Sequence, residues 1–207
     1  MYARSTTVHA DPQRIDEGIA HVRDQVMPAL QSMPGCIGLS MLCDRDSGRC
    51  IVTASWDSEE AMRATADSVH QMRQRAAEVM GARDISVDEW EIAVVHRAHN
   101  AGDDACARVT WTRVDPARME ETLDAVRTSL LPRMDGVPGF CSLSLMIDRG
   151  TGRGTLTAVY DDRAAMEASR QQVMSIREEF SRRLGMEITE VAEFDLAIHH
   201  LRVPEMA

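Results

Sequence analysis

Apolar positions along this chain switch between two spacings, and the same order of switches occurs twice. A β-prone run, Tyr2 to His9, is followed by Asp11 as a helix N-cap with Pro12 at the first helical position, a strong start signal because the proline lacks only a donor that would be orphaned there. Ile15, Ile19, Val22, Val26 and Leu30 then recur at helical spacing, which predicts a helix with one core-facing stripe. Pro34-Gly35 ends it. Cys36 to Asp44 reads as a strand running into a turn around Asp46, Ser47 and Gly48, and Arg49 to Trp56 as the returning strand of a hairpin. Ser58 caps a second helix with the stripe Met62, Thr65, Val69, Met72 and Ala76, and a last strand, Val87 to His96, completes the unit.

The unit then repeats. Asp11-Pro12 returns as Asp115-Pro116, Pro34-Gly35 as Pro138-Gly139, Asp44-Arg45 as Asp148-Arg149, Gly48-Arg49 as Gly152-Arg153 and Ala61-Met62 as Ala165-Met166, always 104 positions later. Ala3 to Arg97 aligns without a gap to Ala107 to Leu201, with roughly a third of the positions identical. The second-copy stripes are Met119, Leu123, Val126, Leu130 and Met134, then Met166, Ser169, Val173, Ile176 and Phe180. The expected domains are repeat 1 at 1–97, a Gly/Asn/Asp-containing linker at 98–104, and repeat 2 at 105–207.

Each repeat reads strand, helix, strand, strand, helix, strand, an α+β ferredoxin-like (βαββαβ) unit. A four-stranded sheet with both helices on one face leaves the other face uncovered. In the second strand Ile37, Leu39, Met41 and Cys43 face one way and Gly38, Ser40 and Leu42 the other, so both faces carry apolar residues. A short linker holds the second sheet at high effective concentration. The expected fold is two tandem ferredoxin-like repeats forming an intrachain dimeric α/β barrel, a monomeric pseudo-dimer.

Composition narrows the partners. A net charge of -10 without a basic run argues against nucleic acid and favours a small-molecule ligand or substrate. Every basic residue is arginine, so lysine Schiff-base chemistry is excluded. No apolar stretch reaches membrane-helix length and Met1 to Asp11 has no signal-peptide core, which predicts a cytoplasmic protein. The five cysteines form no CxxC pair and read as reduced thiols, with Cys43 and Cys50 placed to face each other across the hairpin. No phosphate loop, nucleophile elbow or zinc motif appears, so nicotinamide, flavin, serine-hydrolase and zinc-site readings have no local support; a flavin bound without a motif stays open, and the expectation is no cofactor and no metal.

The Pro34-Gly35 before the hairpin, the aromatic Trp56 at its end and the helix start Asp57-Ser58-Glu59-Glu60-Ala61-Met62 resemble the antibiotic biosynthesis monooxygenase family of dimeric α/β barrel proteins. The likeness is clearest over Pro34 to Met62 and weaker over Pro138 to Met166. It implies a pocket between sheet and helices in each repeat. It also implies a cofactor-independent monooxygenase acting on an aromatic or polyketide-like small molecule, or else a non-catalytic barrel that binds or senses such a ligand. The family's heme-degrading branch uses an Asn on the first strand with a Trp and a His near the second helix. Here the first strands offer Thr6, Thr7, Thr110 and Trp111, and the second helices have no Trp, which disfavours heme degradation.

Candidate groups follow from that expectation. His70 on the second helix is the candidate general base, since imidazole titrates near neutral pH. Trp56 and Tyr160 end the third strands at matching positions and are candidate catalytic pocket walls, each with one polar atom; a structural aromatic closing the corner is the alternative for Trp56. Arg177 is the candidate anion stabiliser, and its repeat partner Arg73 a substrate-binding group; Arg23 and Arg127 match likewise on the first helices. Trp111 and Phe140, whose counterparts are Thr7 and Cys36, break the internal symmetry and are candidate substrate contacts in the second repeat. His96 and His200, with His199, lie at strand ends without an evident third metal ligand.

Overall fold

The structure, a computed structural model, describes residues 1–201 and 203–206; Ala207, the predicted end of the second repeat, lies outside them. In repeat 1 the strands are β1 (Tyr2–His9), β2 (Cys36–Cys43), β3 (Arg49–Trp56) and β4 (Ile85–Arg97), with helices α1 (Ile15–His21), α2 (Met27–Gln31), α3 (Glu59–Ala64) and α4 (Ala66–Val79). Repeat 2 supplies β5 (Cys106–Arg113), α5 (Met119–Ala125), α6 (Leu131–Asp135), β6 (Phe140–Asp148), β7 (Arg153–Tyr160), α7 (Arg163–Ala168), α8 (Arg170–Leu184) and β8 (Glu187–Leu201). The hydrogen-bonded strand order is β1-β3-β2-β8-β5-β7-β6-β4 and closes on itself as an antiparallel barrel.

By backbone proximity the chain divides into one compact unit of Met1–Trp90 with Asp195–Val203 and a second of Glu91–Phe194 with Pro204–Ala207. The last strand of each repeat is therefore shared. In the first unit Gly38 to Cys43 of β2 pair with Leu201 back to Asp195 of β8. In the second, Ser142 to Ile147 of β6 pair with Arg97 back to Glu91 of β4.

The predicted caps are present: Asp11 and Asp115 accept from the backbone N–H of Gln13 and Ala117, and Ser58 from that of Ala61. The first helix of each repeat differs from a simple α-helix. A 3-10 turn opens it, and a π turn, Val22–Val26 or Val126–Leu130, separates its two α segments. Pro28 and Pro132 sit at the starts of the following segments; a proline there has no N–H for the i−4 carbonyl and crowds it, which a wider turn relieves. The same turn keeps the stripe in line. Two successive steps of four residues would each rotate the face by about 40° on a regular helix, yet Val22, Val26 and Leu30 all remain buried.

The second helix is broken at Thr65, whose hydroxyl donates back to the carbonyls of Ala61 and Met62, a bond that bends helices. At the hairpins Gly48 (φ 80°) and Gly152 (φ 73°) adopt the left-handed conformation. A Cβ on Gly152 would lie 1.9 Å from the Val114 carbonyl oxygen. Each unit has its own core: Ile15, Val22, Leu39, Met41, Trp56 and Ile198 belong to the first, and Leu123, Val126, Leu143, Tyr160, Phe180 and Val94 to the second.

Candidate functional site

In the second unit a cavity of about 80 Å³ lies between the sheet and the helices. Alternate positions of β5 put Arg108, Thr110 and Thr112 on its wall, β7 adds Leu156, Ala158 and Tyr160, and α8 adds Ile176, Arg177 and Phe180. Most of the lining is aliphatic, with Met119, Met134 and Met186 among it. Arg108 is only 4% exposed. Its Nε and Nη2 donate to Glu193 Oε1 and to the Met166 carbonyl, and its guanidinium lies 5.6 Å from the centre of the Tyr160 ring.

Glu193 also accepts from Arg170, at 3.0 Å. Burial, and then the neighbouring Arg108, pull the Arg177 guanidinium below its ordinary pKa, with Glu178 and Tyr160 opposing. Burial pushes the Tyr160 phenol up, with Arg108 opposing, so the phenol is a donor at neutral pH. Its oxygen has Arg108 and Ser169 nearby but is buried with no hydrogen bond of good geometry among the described residues.

Arg108 and Arg177 also line a second, outer depression of about 400 Å³, bounded by Arg170, Met174, Val191, Ala192 and Glu193. Met174 and Val191 are exposed apolar side chains. The two arginines thus line both the outer depression and the inner cavity.

The first unit repeats the arrangement on a smaller scale, with a cavity of about 50 Å³. Arg4 donates to Glu89 at 2.7 Å and to the Met62 carbonyl, and sits 5.5 Å from the Trp56 ring centre. Arg73 stands where Arg177 does, lowered in pKa by burial and by Arg4. Arg4 Nη1 and Trp56 Nε1 are buried without a hydrogen-bond partner among the described residues. The repeat therefore preserves Arg4/Arg108, Glu89/Glu193, Met62/Met166 and Arg73/Arg177, and exchanges Trp56 for Tyr160.

Of the sequence candidates, Trp56 and Arg73 line the first cavity, and Tyr160 and Arg177 the second. His70 is exposed and outside the cavity lining; its Nδ1 lies 3.3 Å from Arg73 Nη2. Its repeat counterpart is Met174 at the outer depression. Trp111 points away from the cavity, because Arg108, Thr110 and Thr112 occupy the cavity-facing positions of the same strand; its ring meets Phe194 edge-on at 6.5 Å. Phe140 is a core residue behind the wall, 6.4 Å from Tyr160 and stacked on His96.

Sequence reasoning passed over Arg4 and Arg108 with their partners Glu89 and Glu193. A signal existed: an arginine amid β-prone residues and a glutamate on the last strand, each repeated at the 104-residue offset. A second cluster left no signal in sequence spacing. His99 Nε2 lies 2.7 Å from Asp161 Oδ1, and Cys141 Sγ lies 3.2 Å from the same oxygen. Burial and Asp161 push that thiol up to about 12.

An uncharacterized protein of Mycobacterium tuberculosis is 48% identical over 207 residues, covering all of this chain and 87% of that protein. Among solved structures, a candidate monooxygenase from Lactobacillus acidophilus matches with a TM-score of 0.69 at 14% identity, covering 94% of this chain and 92% of its own. An anthrone oxidase-like protein matches with a TM-score of 0.65 at 17% identity, covering 96% and 91%. At such identities these two likenesses speak to the fold. The family model for antibiotic biosynthesis monooxygenase matches residues 1–77 and again 106–180, so the chain belongs to the antibiotic biosynthesis monooxygenase family, with one copy of its domain in each repeat.

Proposed function

We propose that the protein is a cofactor-independent monooxygenase acting on an aromatic or polyketide-like small molecule, and that the second unit holds the working site. The observation that carries this reading is a largely aliphatic cavity whose ionisable lining groups are two arginines, Arg108 and Arg177, and one phenol, Tyr160, beside the hydroxyls of Thr110, Thr112 and Thr122. A substrate that reacts with oxygen unaided must first become an electron-rich anion, such as a phenolate or enolate. Paired guanidiniums in a water-poor cavity favour that anion, and the protonated Tyr160 hydroxyl donates to the oxygen on which its charge collects.

The net conversion balances without a reductant: a CH2 flanked by aromatic rings and O2 become C=O and H2O. One oxygen atom bonds to the carbon, and the other leaves with the two hydrogens as water. The aliphatic wall excludes solvent from the reacting pair. The inner cavity is below the 300 Å³ or so of an ordinary ligand site. The ligand therefore enters from the outer depression and displaces methionine side chains, which re-pack at low cost.

The test is oxygen uptake by protein freed of metal and flavin, with a panel of anthrones and quinols. Arg177→Met and Tyr160→Phe should each lower kcat/KM at least tenfold, about 1.4 kcal/mol of transition-state stabilisation. Uptake equal to background across the panel, or turnover untouched by both substitutions, would remove the assignment. The non-catalytic reading applies best to the first unit, where a cavity of only about 50 Å³ is lined by Val69, Met72 and Met80 beside Trp56; Trp56→Phe should leave oxygen uptake unchanged.

A further inference from the structure

We infer that His99, Cys141 and Asp161 form a binding site for a divalent transition-metal cation of the zinc class, held by imidazole, thiolate and carboxylate with a fourth position open to solvent. Their ligand atoms all lie within 4.8 Å of one another. Backbone bonds fix the three segments. The N–H groups of Ala98 and His99 both donate to the Cys141 carbonyl, at 2.8 and 3.2 Å, and the Asp161 N–H donates to the Gly139 carbonyl at 2.8 Å.

Cys141 owes its direction to a β-bulge. In the β6–β7 ladder Phe140 pairs with Tyr160 and Ser142 with Val159, so Cys141 is the extra residue, and bulges re-aim side chains. Repeat 1 has the same bulge, between Cys36 and Gly38. The residues at the 104-position offset from the three ligands are not a ligand set: Ile37, before it, stands for Cys141 and Asp57 for Asp161, while Val203, 104 positions after His99, is buried. One scaffold thus occurs twice, with a sulfur and an imidazole placed beside the shared aspartate only in the second copy.

The donor chemistry selects the ion. Thiolate with imidazole suits zinc-class cations and disfavours magnesium and calcium, which take oxygen donors. Bonds of about 2.0 Å to N and O and about 2.3 Å to S, at tetrahedral angles, hold donor atoms roughly 3.3 to 3.6 Å apart. The present contacts of 2.7 and 3.2 Å must open by less than about 1 Å. His99 and Asp161, roughly half exposed, have room to do so. Binding replaces the Cys141 S–H bond by a metal–sulfur bond and releases one proton to solvent.

The experiment is titration of the reduced, chelator-treated full-length protein with Co2+, followed by thiolate-to-cobalt absorption in the near ultraviolet and ligand-field bands in the visible. One equivalent should saturate the spectrum, and Zn2+ should bleach it. Cys141→Ser should abolish the near-ultraviolet band, and the exposed substitutions His99→Ala and Asp161→Asn should each weaken affinity at least tenfold with unchanged circular dichroism. Absence of the band in the wild-type protein would leave the three residues a hydrogen-bonded cluster only and overturn the proposal. Its persistence in Cys141→Ser would assign the metal to another cysteine and overturn it equally.

Discussion

Arg108 and Arg4 are the same residue in two copies of one strand, but their ion pairs differ in exposure. Both arginines are about 5% exposed, whereas Glu193 is 22% exposed and Glu89 47%. Removing the carboxylate leaves a buried guanidinium uncompensated, which in a dry site costs about 3 kcal/mol and in a wet one much less. Glu193→Ala should therefore lower urea stability by about 3 kcal/mol and Glu89→Ala by about 1 kcal/mol; equal losses would mean the two sites are equally hydrated. A second residue-scale effect comes from His96, whose Nδ1 meets Glu205 at 2.8 Å and whose Nε2 meets Asp135 at 2.7 Å. Burial alone would lower its pKa, but the two carboxylates outweigh it and the folded value is raised. A raised folded value means stabilisation that is complete below about pH 6.5, the free-imidazole value, and is lost as pH rises through the folded value. The wild-type protein should thus lose more stability than His96→Gln between about pH 6 and about pH 8.5, measured by urea midpoints; parallel losses would remove His96 from the linkage. Of the cavity-lining residues, Trp56, Tyr160, Arg73 and Arg177 were legible because they sit at matching positions of a recognisable unit. His70 was misplaced relative to the cavity because one helical step of about 100° separates lining from rim: Val69 and Arg73 line it and His70 does not.

At the scale of elements, the hairpin turns carry the most local information. Gly152 has φ 73°, and an added Cβ would fall inside the Val114 carbonyl, so strain and collision act together. Gly152→Ala should cost at least about 2 kcal/mol, more than the roughly 1 kcal/mol of the positive φ alone, whereas Gly102→Ala, with nothing within 4 Å of the added atom, should be near neutral. Thermal unfolding of the two variants gives the comparison. Strand and helix order was readable throughout, because periods of two and of 3.6 alternate cleanly and the 104-residue repeat allowed each assignment to be made twice. The π turns were not read, although Pro28 and Pro132 mark them: a proline inside an apolar stripe signals a disturbance without saying whether the helix kinks, stops or widens. The break at Thr65 escaped for a related reason, since back-bonding by a helical threonine competes with solvent and its outcome depends on burial. The His99, Cys141 and Asp161 cluster was illegible because it joins a linker, a bulge and a strand end, three features with no common period.

At the scale of the whole molecule, a two-fold repeat in sequence has become an exchange in space. The end of β8 pairs with β2 and places Ile198 in the core of the first unit, opposite Met41. Val94, 104 positions earlier on β4, belongs to the core of the second unit and pairs with Leu145. Each repeat therefore finishes the core of the other, and stability should not map onto sequence order. A buried polar amide in place of a branched aliphatic loses its packing and leaves donors unpaired, a loss of about 3 kcal/mol. In Ile198→Asn the substitution lies in the second repeat, yet amide hydrogen exchange should accelerate in β1, β2 and β3 of the first, while β6 and β7 keep their protection. Val94→Asn should produce the reciprocal pattern, with β6 and β7 exposed and β1 to β3 retained. Faster exchange confined to the repeat that carries the substitution would contradict the shared-strand arrangement. Uniform acceleration in both variants would instead show that the two cores unfold as one cooperative unit, so that the exchange of strands couples the halves as tightly as a single core would.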